Sequence, residues 1–243
     1  MSVLVVSGTC TGVGKTVVTA ALAALAATRG SSVAVVKPAQ TGTAPGEPGD
    51  LDEVARLAGV GELHEFARFP DPLSPAAAAR RAGRPPVRLP EAVDRIKELS
   101  QSHRLVLVEG AGGLLVRYDE EGATIADLAR WLGAAVVVVA RPDLGTLNHT
   151  ALTLEAMAHR GVQLAGVVLG SWPDDPDLAM RSNLRDLETI AARPLAGAMP
   201  AGSGSLDPAE FLLAAHAAMA PVFGGGFDAA TFRDSYGLTR ENP

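Results

Sequence analysis

Cysteine is nearly absent from these 243 residues: Cys10 stands alone. A single thiol forms no intrachain disulfide, and a cysteine-built zinc cage is excluded. Aromatic residues are scarce as well, at 4% of the chain. A core with few large rings has to be packed from small aliphatic side chains, and the sequence carries 43 alanines. No apolar run approaches the roughly 18 residues that a membrane-spanning helix needs. The opening MSVLVVSGTC has neither the basic start nor the apolar length of a signal peptide, so a cytoplasmic location is expected. Sustained Lys/Arg runs are missing and the formal net charge is −6, which argues against a nucleic-acid binder that works by neutralising phosphates.

Hydrophobic residues make up 47% and charged residues 20%, a globular composition. A chain of this size buries about 70–75% of its unfolded surface, enough for one large domain. Short β-branched runs alternate with longer Ala/Leu segments. Val3–Val6, Val33–Val36, Leu105–Val108, Ala134–Ala140, Leu164–Leu169 and Leu195–Ala198 read as strands. Between them, Lys15–Thr28, Asp50–Ala58, Pro90–Ser102, Thr124–Leu132, Thr146–Arg160, Leu178–Ala192 and Pro208–Met219 read as helices. Strands that are apolar throughout and separated by helix-length segments predict an α/β fold, a mainly parallel sheet covered by helices on both faces. Ala79–Pro90 reads as a loop. Residues 1–222 are expected to form a single domain. The Gly-rich extension 223–243 lacks clear periodicity and is expected to be peripheral or mobile.

The first strand is followed by Gly8-Thr9-Cys10-Thr11-Gly12-Val13-Gly14-Lys15-Thr16, and a helix follows directly. Glycines there let backbone N–H groups turn onto phosphate oxygens, and a helix N-terminus adds partial positive charge. The Lys15 ammonium suits the β- and γ-phosphates, and the Thr16 hydroxyl suits Mg²⁺. The usual spacing puts the first glycine of such a loop at position 9, where this chain has Thr9 after Gly8. A dinucleotide fingerprint would need no Lys-Thr at the helix start and would place an acid, not Lys37, at the end of the second strand. The C-terminal ends of parallel strands converge on one crevice, so Lys37 and Glu109 are expected beside the phosphate loop. A carboxylate there could share a Mg²⁺ ion with Thr16. Spacing alone leaves Glu47, Asp50 and Asp52 open as a further acidic ligand.

Four motifs in order carry a family resemblance. Gly8-Thr9-x-Thr11-x-Val13-Gly14-Lys15-Thr16, Val36-Lys37-Pro38-x-x-Thr41-Gly42, Val108-Glu109-Gly110-Ala111-Gly112-Gly113 and Leu144-Gly145-Thr146-Leu147-Asn148-His149-Thr150 together resemble the dethiobiotin synthetase family, to about residue 220. The resemblance implies a three-layer P-loop NTPase-type fold and a homodimeric, ATP- and Mg²⁺-dependent carbon–nitrogen ligase of biotin biosynthesis. Such an enzyme closes 7,8-diaminopelargonate and CO2 into dethiobiotin by way of a carbamate and a carbamic-phosphoric anhydride.

The same resemblance assigns residues. Lys37 is the catalytic lysine, with Lys15 and Thr11 beside it. Gly12, Val13, Gly14, Lys15, Thr16 and Val17 hold the nucleotide phosphates, with Asp50, Glu109, Gly110, Ala111 and Gly112 around them. Gly170, Ser171, Pro200, Ala201 and Gly202 stand on the base side. Thr16, Asp50 and Glu109 match the Mg²⁺ ligands, and Asp50 is preferred because it begins a helix. Thr41 faces the substrate. Gly145, Thr146, Leu147 and Asn148 of the partner chain receive the substrate carboxylate. His149 reads as a capped or packed histidine. Where many members carry an Asn for the purine, this chain has Gly170-Ser171-Trp172, which predicts weak discrimination between ATP and other triphosphates.

The rival reading is a dimeric ATP-switch protein of the partitioning type. Those carry a signature lysine five residues before the loop lysine, where this chain has Cys10. An amidotransferase-type ligase would need a glutaminase cysteine, and the only cysteine lies in the phosphate loop.

Overall fold

The computed structural model describes residues 2–238. The chain runs β1 (Ser2–Gly8), α1 (Lys15–Thr28), β2 (Val33–Lys37), β3 (Gln40–Thr41), α2 (Asp50–Ala58), β4 (Leu63–Glu65), β5 (Arg68–Phe69), α3 (Pro75–Arg81) and α4 (Leu89–Ser102). It continues with β6 (Leu105–Gly113), α5 (Ile125–Leu132), β7 (Ala135–Ala140), α6 (Thr146–His159), β8 (Leu164–Trp172), α7 (Leu178–Ala191), β9 (Gly197–Pro200), α8 (Pro208–Ala218) and α9 (Ala229–Tyr236). Seven strands form one sheet in the order β4-β2-β6-β1-β7-β8-β9. Every pairing in it is parallel.

Alternate residues of each strand pack on opposite faces, as the two-residue period of a strand requires. On one face Val5, Val36, Val106, Val108, Val136 and Val138 meet α4, α5, α6 and α7 through Ile96, Leu128, Met157 and Leu187. On the other, Val6, Val35, Leu107, Val137, Val139 and Val168 meet α1, α2 and α8 through Val18, Leu22, Val54 and Phe211. Both faces are covered, so the strands carry no polar stripe. Each fully buried Val or Leu contributes about 1.5–3 kcal/mol of apolar transfer. Helix α1 lies between the sheet, α2 and α8, and Ala20, Ala21, Ala23 and Ala24 are all buried on it. The alanine excess is what permits that close approach.

The long elements fall where the apolar runs place them. Short ones depart from the expectation. Ala79 to Arg81 belong to α3, whose start carries Ser74 before Pro75 at the first position, so the expected loop begins only after Arg81. The last strand is Gly197–Pro200, two residues later than Leu195–Ala198. The small sheet β3–β5 and the edge strand β4 are too short to show a period. In the extension, Phe227 is buried and 229–236 form α9, whose Phe232 and Tyr236 pack on Trp172. Residues 239–243 of that expected peripheral segment lie outside the described residues. Among the described residues no helix is long and apolar enough to cross a membrane.

Candidate active site

Strand β1 sits at the centre of the sheet and runs through Gly8, so the phosphate loop proper spans 9–14. Gly14 takes φ 93°, a left-handed conformation that disfavours any side chain. That turn aims the first N–H groups of α1 into the crevice. No side chain caps α1 and its first turn holds no acid, so those donors are left for an anion. Across the loop lies Gly170 of β8. A Cβ there would stand 1.8 Å from the Val13 carbonyl oxygen, so only glycine lets β8 approach the loop. Lys15 folds back over the loop, and its Nζ donates to the Cys10 carbonyl at 3.3 Å. The Cys10 side chain itself is exposed.

Lys37 ends β2, two strands from β1, and is only 2% exposed. It does not snorkel to solvent. Its Nζ lies 2.5 Å from Asp50 Oδ2 and 2.8 Å from Glu109 Oε1, and donates to the Gly110 carbonyl at 3.3 Å. An ammonium has three N–H groups, so all are engaged. Burial pulls the Lys37 pKa down, but Glu109 and Asp50 outweigh it and hold the ammonium above the ordinary lysine range. Lys15 goes the other way, lowered by burial and then by the Lys37 charge. For Asp50, burial works upward, yet the Lys37 charge and hydrogen bond keep its carboxyl below the ordinary range.

Glu109 lies in β6 between β1 and β2 and is fully buried. Its Oε1 accepts from Thr16 Oγ1 at 3.0 Å as well as from Lys37. Its Oε2 has no hydrogen-bond partner among the described residues. A buried, unpartnered carboxylate oxygen is costly unless something completes it.

The three candidate acids of the 47–53 segment separate by geometry. Glu47 accepts from the Ala44 N–H at 2.9 Å, and Asp52 accepts from the Gly49 N–H at 2.6 Å as part of the α2 cap. Asp50 alone turns to Lys37. Two residues unread in the sequence hold it there. Gln40 Oε1 accepts from the Asp50 N–H at 3.0 Å, and Arg68 is braced on Glu65 at 2.7 and 2.8 Å while it donates to the Glu47 carbonyl. Tyr118, fully buried, accepts from the Ala111 N–H at 2.8 Å and steadies the end of β6 beyond Glu109; burial raises its pKa and keeps it neutral.

These groups line a cavity of about 800 Å³. One wall is Thr11, Gly12, Gly14, Lys15, Thr16 and Val17, and the floor carries Lys37, Gln40, Thr41, Asp50, Glu109, Ala111 and Gly112. The opposite wall, Pro72 to Pro75 with Val116, is mostly apolar and had no sequence signal beyond a proline-rich stretch. Val13 and Gly110 are buried behind the lining, and Gly110 acts through its carbonyl on Lys37. Ser171 lies near the end of β8, and Pro200, Ala201 and Gly202 lie at and just past the end of β9, tied to β8 by a hydrogen bond from Ala201 N to the Trp172 carbonyl at 2.7 Å. They do not line this cavity, nor do Gly145, Thr146, Leu147 and Asn148 at the start of α6. His149 is exposed on α6 rather than capped or packed.

The chain matches the AAA domain family over residues 2–208. It is 63% identical over 236 residues to a protein of Frankia casuarinae named ATP-dependent dethiobiotin synthetase BioD, covering 97% of this chain and 99% of that one. A protein of the same name from Streptomyces coelicolor is 56% identical over 237 residues, 98% of this chain and 100% of that one. The chain belongs to the dethiobiotin synthetase family.

Among solved structures it resembles the septum site-determining protein MinD complexed with Mg-ADP from Pyrococcus horikoshii, with a TM-score of 0.58, 16% identity and 86% and 88% coverage of the two chains. At that identity the likeness shows the fold alone, so the partitioning-type switch has a shared architecture behind it and nothing more. What this site adds to a bare phosphate loop is Lys37 between two carboxylates. The donor set fits Mg²⁺. Thr16, Asp50 and the orphaned Glu109 Oε2 are all hard oxygen donors, and Asp50 opens to the cavity. No cluster of three His, Cys, Asp or Glu that could hold a metal ion occurs among the described residues.

Proposed function

We propose that the cavity carries out the ATP-dependent ring closure of 7,8-diaminopelargonate with CO2 to dethiobiotin, with ADP and phosphate as co-products. One amine of the substrate forms a C–N bond to CO2 and loses a proton, giving a carbamate. A carbamate oxygen attacks the γ-phosphorus and ADP leaves. The second amine then attacks the carbamoyl carbon, expels phosphate and closes the cyclic urea.

The residues divide this work by position. Lys15 and the free N–H groups of α1 hold the phosphates. Lys37 is charged and aimed into the cavity, so it meets the carbamate and the charge that grows on the transferred phosphoryl group. All its donors are engaged internally, so substrate binding exchanges one of those bonds for a bond to the anion. Thr11 and Thr41 line the space between phosphate loop and Lys37 and orient the reacting groups. Thr16, Asp50 and Glu109 would hold Mg²⁺, which supplies charge neutralisation at the phosphates. The apolar wall of Pro72, Leu73 and Val116 suits the hydrocarbon chain of the diamine.

A cytoplasmic homodimer completes the reading. The α6 start offers N–H groups to a substrate carboxylate but lies outside its own cavity, so it would serve the partner's. Leu144 and Leu152 beside it are 86% and 57% exposed, an apolar surface suited to a subunit contact. The observation that carries the proposal is the buried Lys37 cation set between Asp50 and Glu109, and linked through Glu109 Oε1 to Thr16 at the start of α1. The test is phosphate release from ATP, Mg²⁺ and bicarbonate with and without the diamine. Release is expected only with the diamine; equal release without it contradicts the ligase.

A further inference from the structure

Trp172 is the last residue of β8, and its indole is buried. Phe232 and Tyr236 of α9 meet it edge-on, with ring centroids 5.1 and 5.5 Å away. Phe227 joins the cluster at 5.1 Å from Phe232. The indole N–H finds no acceptor among the described residues, so apolar and ring-edge packing alone positions it. Two further ties fasten α9 to α7. Arg233 pairs with Glu188 at 2.5 Å, and Arg181 donates to the Tyr236 carbonyl at 2.9 Å.

On its backbone side Trp172 accepts the hydrogen bond from Ala201 that ties the 200–202 loop to β8. The β8–β9 ladder is irregular between Leu169 and Trp172 and resumes only at the Trp172–Pro200 pair, so little regular pairing holds this strand end. Gly170 is wedged against the phosphate loop from one side. Trp172 is held from the other side by α9.

We propose that α9 is a brace for the base-binding end of the nucleotide site, and that Trp172 is the positioning residue through which it acts. This rests on reading Gly170, Ser171 and Pro200 to Gly202 as the base side. An eight-residue helix is not stable by itself, so α9 stays folded by docking on Trp172. Undocked, the strand end and the 200–202 loop gain freedom that a bound base must remove again, and affinity falls. The phosphate end is built by the 9–14 loop, Lys15 and the first N–H groups of α1, none of them part of the 200–202 loop.

The test is calorimetric binding of Mg-ADP and of Mg-pyrophosphate to the full chain and to Phe232→Ala, with Phe232→Tyr as the conservative variant. We expect ADP to bind at least about fivefold more weakly to Phe232→Ala, the low end of ordinary coupling between sites. Pyrophosphate should bind as before, and Phe232→Tyr should restore ADP affinity. In turnover, KM for ATP should rise while kcat at saturation and KM for the diamine hold. Unchanged ADP binding overturns the brace. Equal weakening of both ligands overturns it too, since that marks general loosening. A native chain that binds ADP no better than pyrophosphate removes the base end and the brace with it. If Phe232→Ala does not fold, Tyr236→Ala decides by the same readouts. Binding needs no ligase turnover, so failure of the brace and failure of the ligase reading are separate results.

Discussion

Replacing Lys37 with Met removes the cation and keeps most of the stem. Two separable effects follow from the geometry. The first is catalytic. Lys37 is the buried ammonium that is bonded to the acid pair, and it opens to the cavity lined by the phosphate loop. Loss of one preorganised donor to developing negative charge typically lowers kcat by about 10²–10³, or about 2.7–4 kcal/mol. The second effect is on stability. Glu109 is fully buried, and without Lys37 its Oε1 keeps only the Thr16 hydroxyl. Breaking a buried ion pair from one side costs about 3–5 kcal/mol. The half-open Asp50 pair adds less, because solvent screens it. Phosphate release and ADP titration should be run on the same preparation, with urea unfolding alongside. Turnover should fall by at least about a hundredfold, while ADP binding persists through Lys15 and α1. Turnover close to the native rate would take Lys37 out of the chemistry. Intact turnover with a lowered urea midpoint would leave it a structural role only.

Three further outcomes are expected. Gly170→Ala drives a Cβ to within 1.8 Å of the Val13 carbonyl oxygen, so the phosphate loop must move and ADP affinity should drop by more than about tenfold; calorimetry showing native affinity would contradict that close approach. Asp50 has a carboxyl pKa lowered below its ordinary 3.8, so its pairing stabilises the fold fully above that pH and is lost as pH falls through the lower folded value. Asp50→Asn should therefore flatten the acid limb of a urea-midpoint profile, and an unchanged limb would place the acid sensitivity elsewhere. With Gly170-Ser171-Trp172 in place of an Asn, competition binding should show ATP preferred only weakly over other triphosphates; strong ATP preference would mean that backbone groups read the base.

Much of the architecture was legible because six strands are unbroken apolar runs and the long helices have clear ends. What escaped has physical reasons. Strands of two or three residues, such as Gln40–Thr41 and Leu63–Glu65, carry no period to detect. Helix α3 begins Pro-Ala-Ala-Ala-Ala, with no polar contrast to reveal a face. In α9 the signal was present but weak: Phe232 and Tyr236 stand four residues apart, on one helical face, behind a run of three glycines that reads as a break. At the site, the residue types that end β1 and β2, and the glutamate that follows the apolar run of β6, pointed to the crevice, although β6 continues past Glu109 to Gly113. The choice of Asp50 over Glu47 and Asp52 was not available from spacing. It depends on Gln40 and Arg68, whose partners are brought in by the small β3–β5 sheet. The wall from Pro72 to Pro75 is likewise assembled by tertiary packing.

The central claim is that phosphoryl transfer and ring closure are coupled in one cavity around Lys37. The most direct measurement incubates the protein with isotopically labelled bicarbonate, the diamine, ATP and Mg²⁺, and counts phosphate and labelled cyclic urea together. The account predicts one labelled dethiobiotin for each phosphate released, with both at least about a hundredfold slower from Lys37→Met. Phosphate released without labelled product, or at the same rate without the diamine, would contradict it.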